Sequence, residues 1–189
     1  MSRKRTYSSE VAHNSSRYEE IWSSEKVIAS GNVFLREGNG HSCTLQQIVA
    51  VHCEVDNAEM SIDVRGHWQD VANYSFRLFD KKFMCCAIGR LDIIGGPHDN
   101  LGMGIPLQSL RVRTPHFHKF DSSGYEYAYR TQAIEDNESS LRTDRSVGLR
   151  CFLDEENIKY DGQVTLTNDD LFQPIEVEME DPLKGVAFE

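Results

Sequence analysis

No stretch of this chain approaches the roughly 20 consecutive apolar residues of a membrane-spanning helix. The charged opening Met1-Ser-Arg-Lys-Arg-Thr-Tyr is followed by the polar run from Ser8 to Glu20, where a signal peptide needs its apolar segment. The expectation is therefore a cytoplasmic protein with no membrane partner. Cysteine is sparse: Cys43, Cys53, Cys85, Cys86 and Cys151 are odd in number and include no C-x-x-C pair. That argues against a disulfide framework and a zinc knuckle, and for reduced, mostly buried thiols. P-loop, G-x-G-x-x-G, G-x-S-x-G and H-E-x-x-H motifs are all missing, which disfavours the nucleotide-binding and hydrolase families built on them. Internal repeats and low-complexity segments are absent as well.

What is present reads as a globule. Across 189 residues, 39% are apolar and 26% charged, a balance that neither a membrane protein nor a disordered chain shows. The length fits one domain. The net charge of -10 is uneven: residues 1 to 30 carry +1, residues 31 to 131 carry -1, and residues 132 to 189 carry -10. An acidic last third keeps nucleic acid away locally and suits either solvent or a protein partner with a basic surface.

Residues 1 to 14 are polar, hold the basic triplet Arg3-Lys4-Arg5, and are expected to form a flexible terminus ahead of a single domain over 15 to 189. Ser16-x-x-Glu19 has the spacing of a capping box and predicts a short helix through Tyr18, Ile21 and Trp22. From Val27 to Thr131 the pattern is that of strands. Gly31-Asn32 divides two apolar runs as a turn would. Val49, Val51, Cys53 and Val55, then Met60, Ile62 and Val64, alternate with polar residues as a hairpin with one dry face would. Tyr74, Phe76 and Leu78 lead through Asp80-Lys81-Lys82 into the mostly apolar run from Phe83 to Ile94, which predicts a central strand covered on both faces. The glycine-rich stretch from Gly95 to Gly104 reads as a loop. Leu110 to Phe120 and Tyr125 to Thr131 read as a third hairpin closed by Asp121-Ser-Ser-Gly124. Residues 135 to 145 are polar, residues 147 to 152 fit helix or strand, Gln163 to Thr167 a strand, and Glu176 to Glu180 an edge strand. The expected fold is mainly β, or α+β: one antiparallel sheet of hairpins with one or two short helices.

Chemistry concentrates in Thr114-Pro-His-Phe-His118. On a strand, His116 and His118 share a face about 6.5 to 7 Å apart, a spacing at which two imidazoles can hold one ion. If Asp121 to Gly124 is an even-length loop, His118 faces Tyr127 and His116 faces Tyr129, which makes the two tyrosines ligand-binding candidates, with Glu126 and Arg130 on the opposite face. The glycine-rich loop adds His98, Asp99 and Asn100, the last as a further ligand-binding candidate. His98, His116 and His118 then form a three-histidine set for a divalent metal such as zinc, with a coordination position left for water. Without metal the same residues can act as general acid and base, and phosphodiester cleavage is the reaction considered. The competing reading gives these histidines a packing role. A different class again is a non-enzymatic inhibitor or immunity-type module that uses its acidic C-terminal third. Nucleic-acid binding through Arg3, Lys4, Arg5, Arg111 and Arg113 is disfavoured by the overall acidity. Whether the chain is an enzyme stays open at this point.

Asn73-Tyr-Ser-Phe-Arg-Leu-Phe, Arg90-Leu-Asp-Ile, Gly96-Pro-His-Asp-Asn100 and Pro115-His-Phe-His-Lys-Phe, together with Tyr127-Ala128, Phe152-Leu-Asp-Glu-Glu-Asn-Ile158 and Leu171-Phe172, resemble a family of small bacterial and phage proteins. In that family an H-x-N loop precedes an H-x-H strand. The resemblance covers about residues 60 to 172 and implies no particular activity. It does imply that His98, Asn100, His116 and His118 belong to one unit, and that a role on mobile elements, in phage or plasmid conflict, is conceivable. One departure is that Leu101-Gly-Met-Gly stands where the family has a Pro-Asp-Gly turn.

Overall fold

The alternation of Val51 and Cys53 with exposed neighbours, and of Leu45, Tyr74, Phe76 and Leu78 with half-buried ones, gives each strand one face that only burial can satisfy. The computed structural model describes residues 6–38, 43–55, 58–100 and 110–168 and shows how those faces meet. Helices α1 (Ser9–His13) and α2 (Ser15–Ser23) precede strands β1 (Lys26–Val27), β2 (Asn32–Glu37), β3 (Thr44–Cys53), β4 (Ala58–His67), β5 (Tyr74–Phe79), β6 (Gly89–Asp92), β7 (His98–Asp99), β8 (Arg111–Val112), β9 (His116–Phe120) and β10 (Glu126–Tyr129). Helices α3 (Gln132–Leu141) and α4 (Arg145–Glu155) and strands β11 (Ile158–Lys159) and β12 (Thr165–Asn168) follow.

The main sheet runs β10-β9-β6-β5-β4-β3-β1-β11, with β2 pairing both β3 and β12, and β7-β8 a small separate ribbon. Pairing is antiparallel except at the two junctions made by the chain's end, β1 with β11 and β2 with β12. The fold is thus mainly β in a single domain, as the strand pattern led us to expect. Among the described residues there are four helices rather than one or two, and none is long and apolar enough to cross a membrane.

The apolar face carries the core. Phe76 on β5 stacks on Phe152 of α4 with ring centroids 5.3 Å apart, and Leu45, Ile62, Val64, Leu78, Leu91 and Phe117 are all buried. Tyr18 of α2 donates to the carbonyl of Ile88 at 2.9 Å and accepts from the amide of Phe120 at 3.0 Å. One phenol thereby ties the helix to the start of β6 and the end of β9. Close approach of α4 to the sheet depends on Gly148: a Cβ there would lie 2.2 Å from the Tyr74 hydroxyl.

Several expectations change. Residues 6 to 14, read as part of a flexible terminus, hold α1, whose Val11 is buried, and Tyr7 forms a β-bridge with Tyr125. The α2 cap is Asn14 rather than Ser16, and it makes no side-chain cap bond. Strands β1 and β2 do not pair with each other across Gly31-Asn32, but both pair with β3. The apolar run from Phe83 to Ile94 yields only a four-residue strand, whose Arg90 and Asp92 alternate with buried Gly89 and Leu91, so β6 is apolar on one face and not both. The polar segment after Thr131 is helical, started by the Thr131 side chain accepting from the Ile134 amide at 3.3 Å. The edge strand expected at 176 to 180, and with it much of the acidic tail, lies outside the described residues.

Candidate metal centre

Register decides which side chains meet. The loop between β9 and β10 is five residues long, 121 to 125, not four. Asp121 accepts from the amides of Ser123 and Tyr125 through Oδ1 at 2.9 and 3.0 Å, and Gly124 sits at φ 80°. Pairing is consequently Phe120 with Glu126, Lys119 with Tyr127, His118 with Ala128, and Phe117 with Tyr129. This corrects the even-loop expectation. Tyr127 and Tyr129 lie on the opposite face from the histidines, where Tyr129 stacks on Phe117 and donates to Glu155 Oε1 at 2.7 Å. Glu126, expected on that far face, shares the face of His118.

On its other side β9 pairs with β6: Arg90 stands opposite His118 and Asp92 opposite His116. A third imidazole arrives from β7, held by the side chain of Asn100, which donates to the Ala128 carbonyl at 2.7 Å and accepts from the Ala128 amide at 2.9 Å. The Asn100 amide thus docks on the backbone of β10 and brings His98 over the sheet. Ring centroids lie 4.6 Å apart for His116 and His118, 4.8 Å for His98 and His118, and 6.2 Å for His98 and His116. An ion about 2.1 Å from each ring nitrogen, with tetrahedral angles, places centroids about 5 Å apart. The two spacings to His118 fall close to that value, whereas His98 and His116 stand farther apart and belong to different triads of close ligand atoms.

Two carboxylates complete the set. Asp92 Oδ2 is 3.2 Å from His118 Nε2 and 3.0 Å from Arg90 Nε, while Glu126 Oε2 is 3.7 Å from His118 Nδ1. Two overlapping triads, Asp92-His116-His118 and His98-His118-Glu126, each have ligand atoms within 4.8 Å of one another. Arg90 Nη2 sits 3.0 and 3.1 Å from the two nitrogens of His118 and 3.7 Å from Glu126 Oε1.

His116 and His118 are 3% and 2% exposed, and Nδ1 of His116 is buried with no hydrogen-bond partner among the described residues. Burial, helped by the neighbouring His118, pushes the His116 imidazole down to about 4, against the opposing pull of Asp92. Burial and then His118 lower His98 as well. Both rings are therefore neutral near pH 7, the state that binds metal. Burial alone would raise Asp92, but the hydrogen bond with His118 and the charge of Arg90 outweigh it and keep the carboxyl ionised.

Sequence reasoning singled out the three histidines and Asn100, and the fold brings all four together. It missed Arg90, Asp92 and Glu126. The signal for the first two was there: Arg90-Leu-Asp92 is a polar alternation inside an apolar run. Glu126 was hidden by a loop one residue longer than assumed. No protein-family model, curated protein or solved structure matches the chain.

Proposed function

We propose that the chain binds a divalent metal ion through His98, His116 and His118, and that the site hydrolyses a phosphodiester. The observation that carries this is the convergence of three imidazoles from two separate strands, with Asp92 and Glu126, on one face of the sheet. The donor set of nitrogen with carboxylate oxygen suits zinc. Two acidic side chains, Asp92 and Glu126, stand against one basic side chain, Arg90, a balance that favours a dication.

A bound ion would supply a water of lowered pKa and an electrophile for a phosphoryl oxygen. The protein groups do the remaining work. Asp92 orients His118 by accepting from its ring, as carboxylates commonly do behind metal-ligating histidines. Glu126 is placed to take a proton from the attacking water. Arg90 stabilises charge that accumulates on the phosphoryl oxygens. Water oxygen bonds to phosphorus, the ester P–O bond breaks, and the departing oxygen gains a proton, giving a phosphomonoester and an alcohol.

The test is metal analysis of protein purified without a histidine tag, beside the His116→Ala/His118→Ala variant. Near-stoichiometric metal in the first and little in the second is the expected result, and equal content in both removes the metal reading. Hydrolysis of bis(4-nitrophenyl) phosphate that persists in the double variant removes the catalytic one.

Arg90 favours a second reading, since its guanidinium already places a cation within 3.1 Å of both His118 nitrogens. In that case the neutral imidazoles of His98 and His116 serve without metal, one as general base and the other as a hydrogen-bond donor. Activity that survives exhaustive chelation distinguishes it.

A further inference from the structure

The polar face of the sheet extends well beyond the histidines. Cross-strand pairing sets Asp63, Arg77, Arg90 and His118 in one row across β4, β5, β6 and β9, and Arg65, Ser75, Asp92 and His116 in the next. Arg77 and Arg90 are thus directly opposite each other, an arrangement of like charges that destabilises a sheet unless something compensates it.

The neighbouring carboxylates offset it only in part. Asp63, directly opposite Arg77 on β4, accepts from Gln46 Nε2 at 2.7 Å and from Arg65 Nε at 2.8 Å. Asp92 is engaged with Arg90 and His118. Arg77 is left half-buried, with its Nε sealed and without a hydrogen-bond partner among the described residues. Burial, and after it Arg65 and Arg90, make its charge harder to hold, against the smaller opposing pull of Asp92 and Asp63. A desolvated guanidinium donor with no acceptor costs stability, and stability given up in this way is commonly traded against function.

We infer that Arg77, together with Arg90 opposite it, forms an anion subsite beside the histidine cluster, which holds a phosphoryl oxygen of the ligand. Strand spacing places the Arg77 backbone about 10 Å from that of His118, two strands away, so one substrate group can rest on the arginines while its reacting phosphorus lies at the histidines. The planar fork of Arg suits two phosphoryl oxygens at once. This inference deepens the reading of the site as a phosphodiesterase and rests on it for the identity of the substrate, but anion binding at Arg77 does not need the metal.

The experiment titrates inorganic phosphate, against chloride at matched ionic strength, into the chelated full-length chain and follows binding by calorimetry and thermal unfolding. Wild type, Arg77→Gln and Arg77→Lys are compared, and metal content is measured separately in each before chelation. Phosphate raises the melting temperature of the wild type, Arg77→Gln weakens phosphate binding roughly tenfold or more, and Arg77→Lys recovers part of it. In phosphate-free buffer Arg77→Gln melts no lower than the wild type, because a cation with an unmet donor has been removed, and its metal content is unchanged. Phosphate binding by Arg77→Gln within twofold of the wild type, or no phosphate effect on the wild type, overturns the subsite. So does a melting point of Arg77→Gln well below wild type without phosphate, which assigns Arg77 a structural role. Wild type that holds no metal before chelation yet binds phosphate through Arg77 sinks the metal reading and leaves the subsite standing, whereas normal metal before chelation with no phosphate effect does the reverse.

Discussion

The side-chain amide of Asn100 pairs with the backbone of Ala128 as a neighbouring strand would, with a donor at 2.7 Å and an acceptor at 2.9 Å. Since Ala128 also pairs with His118, this double bond fixes His98 relative to β9 through two links of rigid geometry. Asn100→Ala leaves both Ala128 groups without these buried partners and should cost about 2 kcal/mol of stability. It should also weaken metal binding more than Asn100→Asp, which keeps the acceptor. Chemical denaturation and a zinc competition assay measure the two effects. Unchanged zinc affinity in Asn100→Ala would show that His98 is not a ligand.

Zinc should stabilise the folded chain by mass action, by about 2.7 kcal/mol at a hundredfold excess over its dissociation constant. A melting temperature that climbs with zinc in the wild type, falls back with chelator and stays flat in His116→Ala/His118→Ala is the expected pattern. A rise in both proteins would place the metal elsewhere.

Glu156 makes a pH dependence. Its carboxyl is fully buried, neither oxygen finds a hydrogen-bond donor, and burial raises it to about 8 even though Lys26 pulls the other way. The Lys26 ammonium donates to the carbonyls of Trp22, Ser24 and Glu156 at 2.8 to 2.9 Å, so it serves the backbone rather than the acid. Between the ordinary carboxyl range and about 8 the folded chain holds a proton that the unfolded chain has released. Stability is therefore full at the acid end of that window and is lost as pH rises through it. Glu156→Gln should match the wild type at about pH 5 and exceed it by a few kcal/mol at about pH 9. Urea titrations at both ends check this, and a difference independent of pH would refute it.

Gly148→Ala should destabilise by about 2 to 3 kcal/mol, because the added methyl meets ring atoms of Tyr74 at 2.5 and 2.7 Å as well as the hydroxyl. Tyr74→Phe should not rescue it, since those ring carbons remain and the hydrogen bond from Tyr74 to the Leu141 carbonyl at 2.6 Å is lost. Denaturant midpoints of the two single variants and the double variant decide the point. A double variant more stable than Gly148→Ala alone would mean that the hydroxyl was the whole obstacle.

Local pattern determined a good deal by itself. The β3–β4 hairpin was legible because Val49, Val51 and Cys53, then Met60, Ile62 and Val64, recur with a two-residue period, and the observed register buries Val51, Met60, Ile62 and Val64 together. His116 and His118 could be placed on one face because a strand's two-residue period is a local property of the backbone. Tertiary structure decided the rest. The β9–β10 register depends on a loop whose Gly124 carbonyl accepts from Ser8, while the Glu126 amide donates to Thr6, contacts made by a segment more than a hundred residues away. The same one-residue difference turned Glu126 toward the histidines and Tyr127 and Tyr129 away from them. Arg90, Asp92 and Arg77 joined the cluster through the order β9-β6-β5, a set of non-local pairings that no short window of sequence encodes.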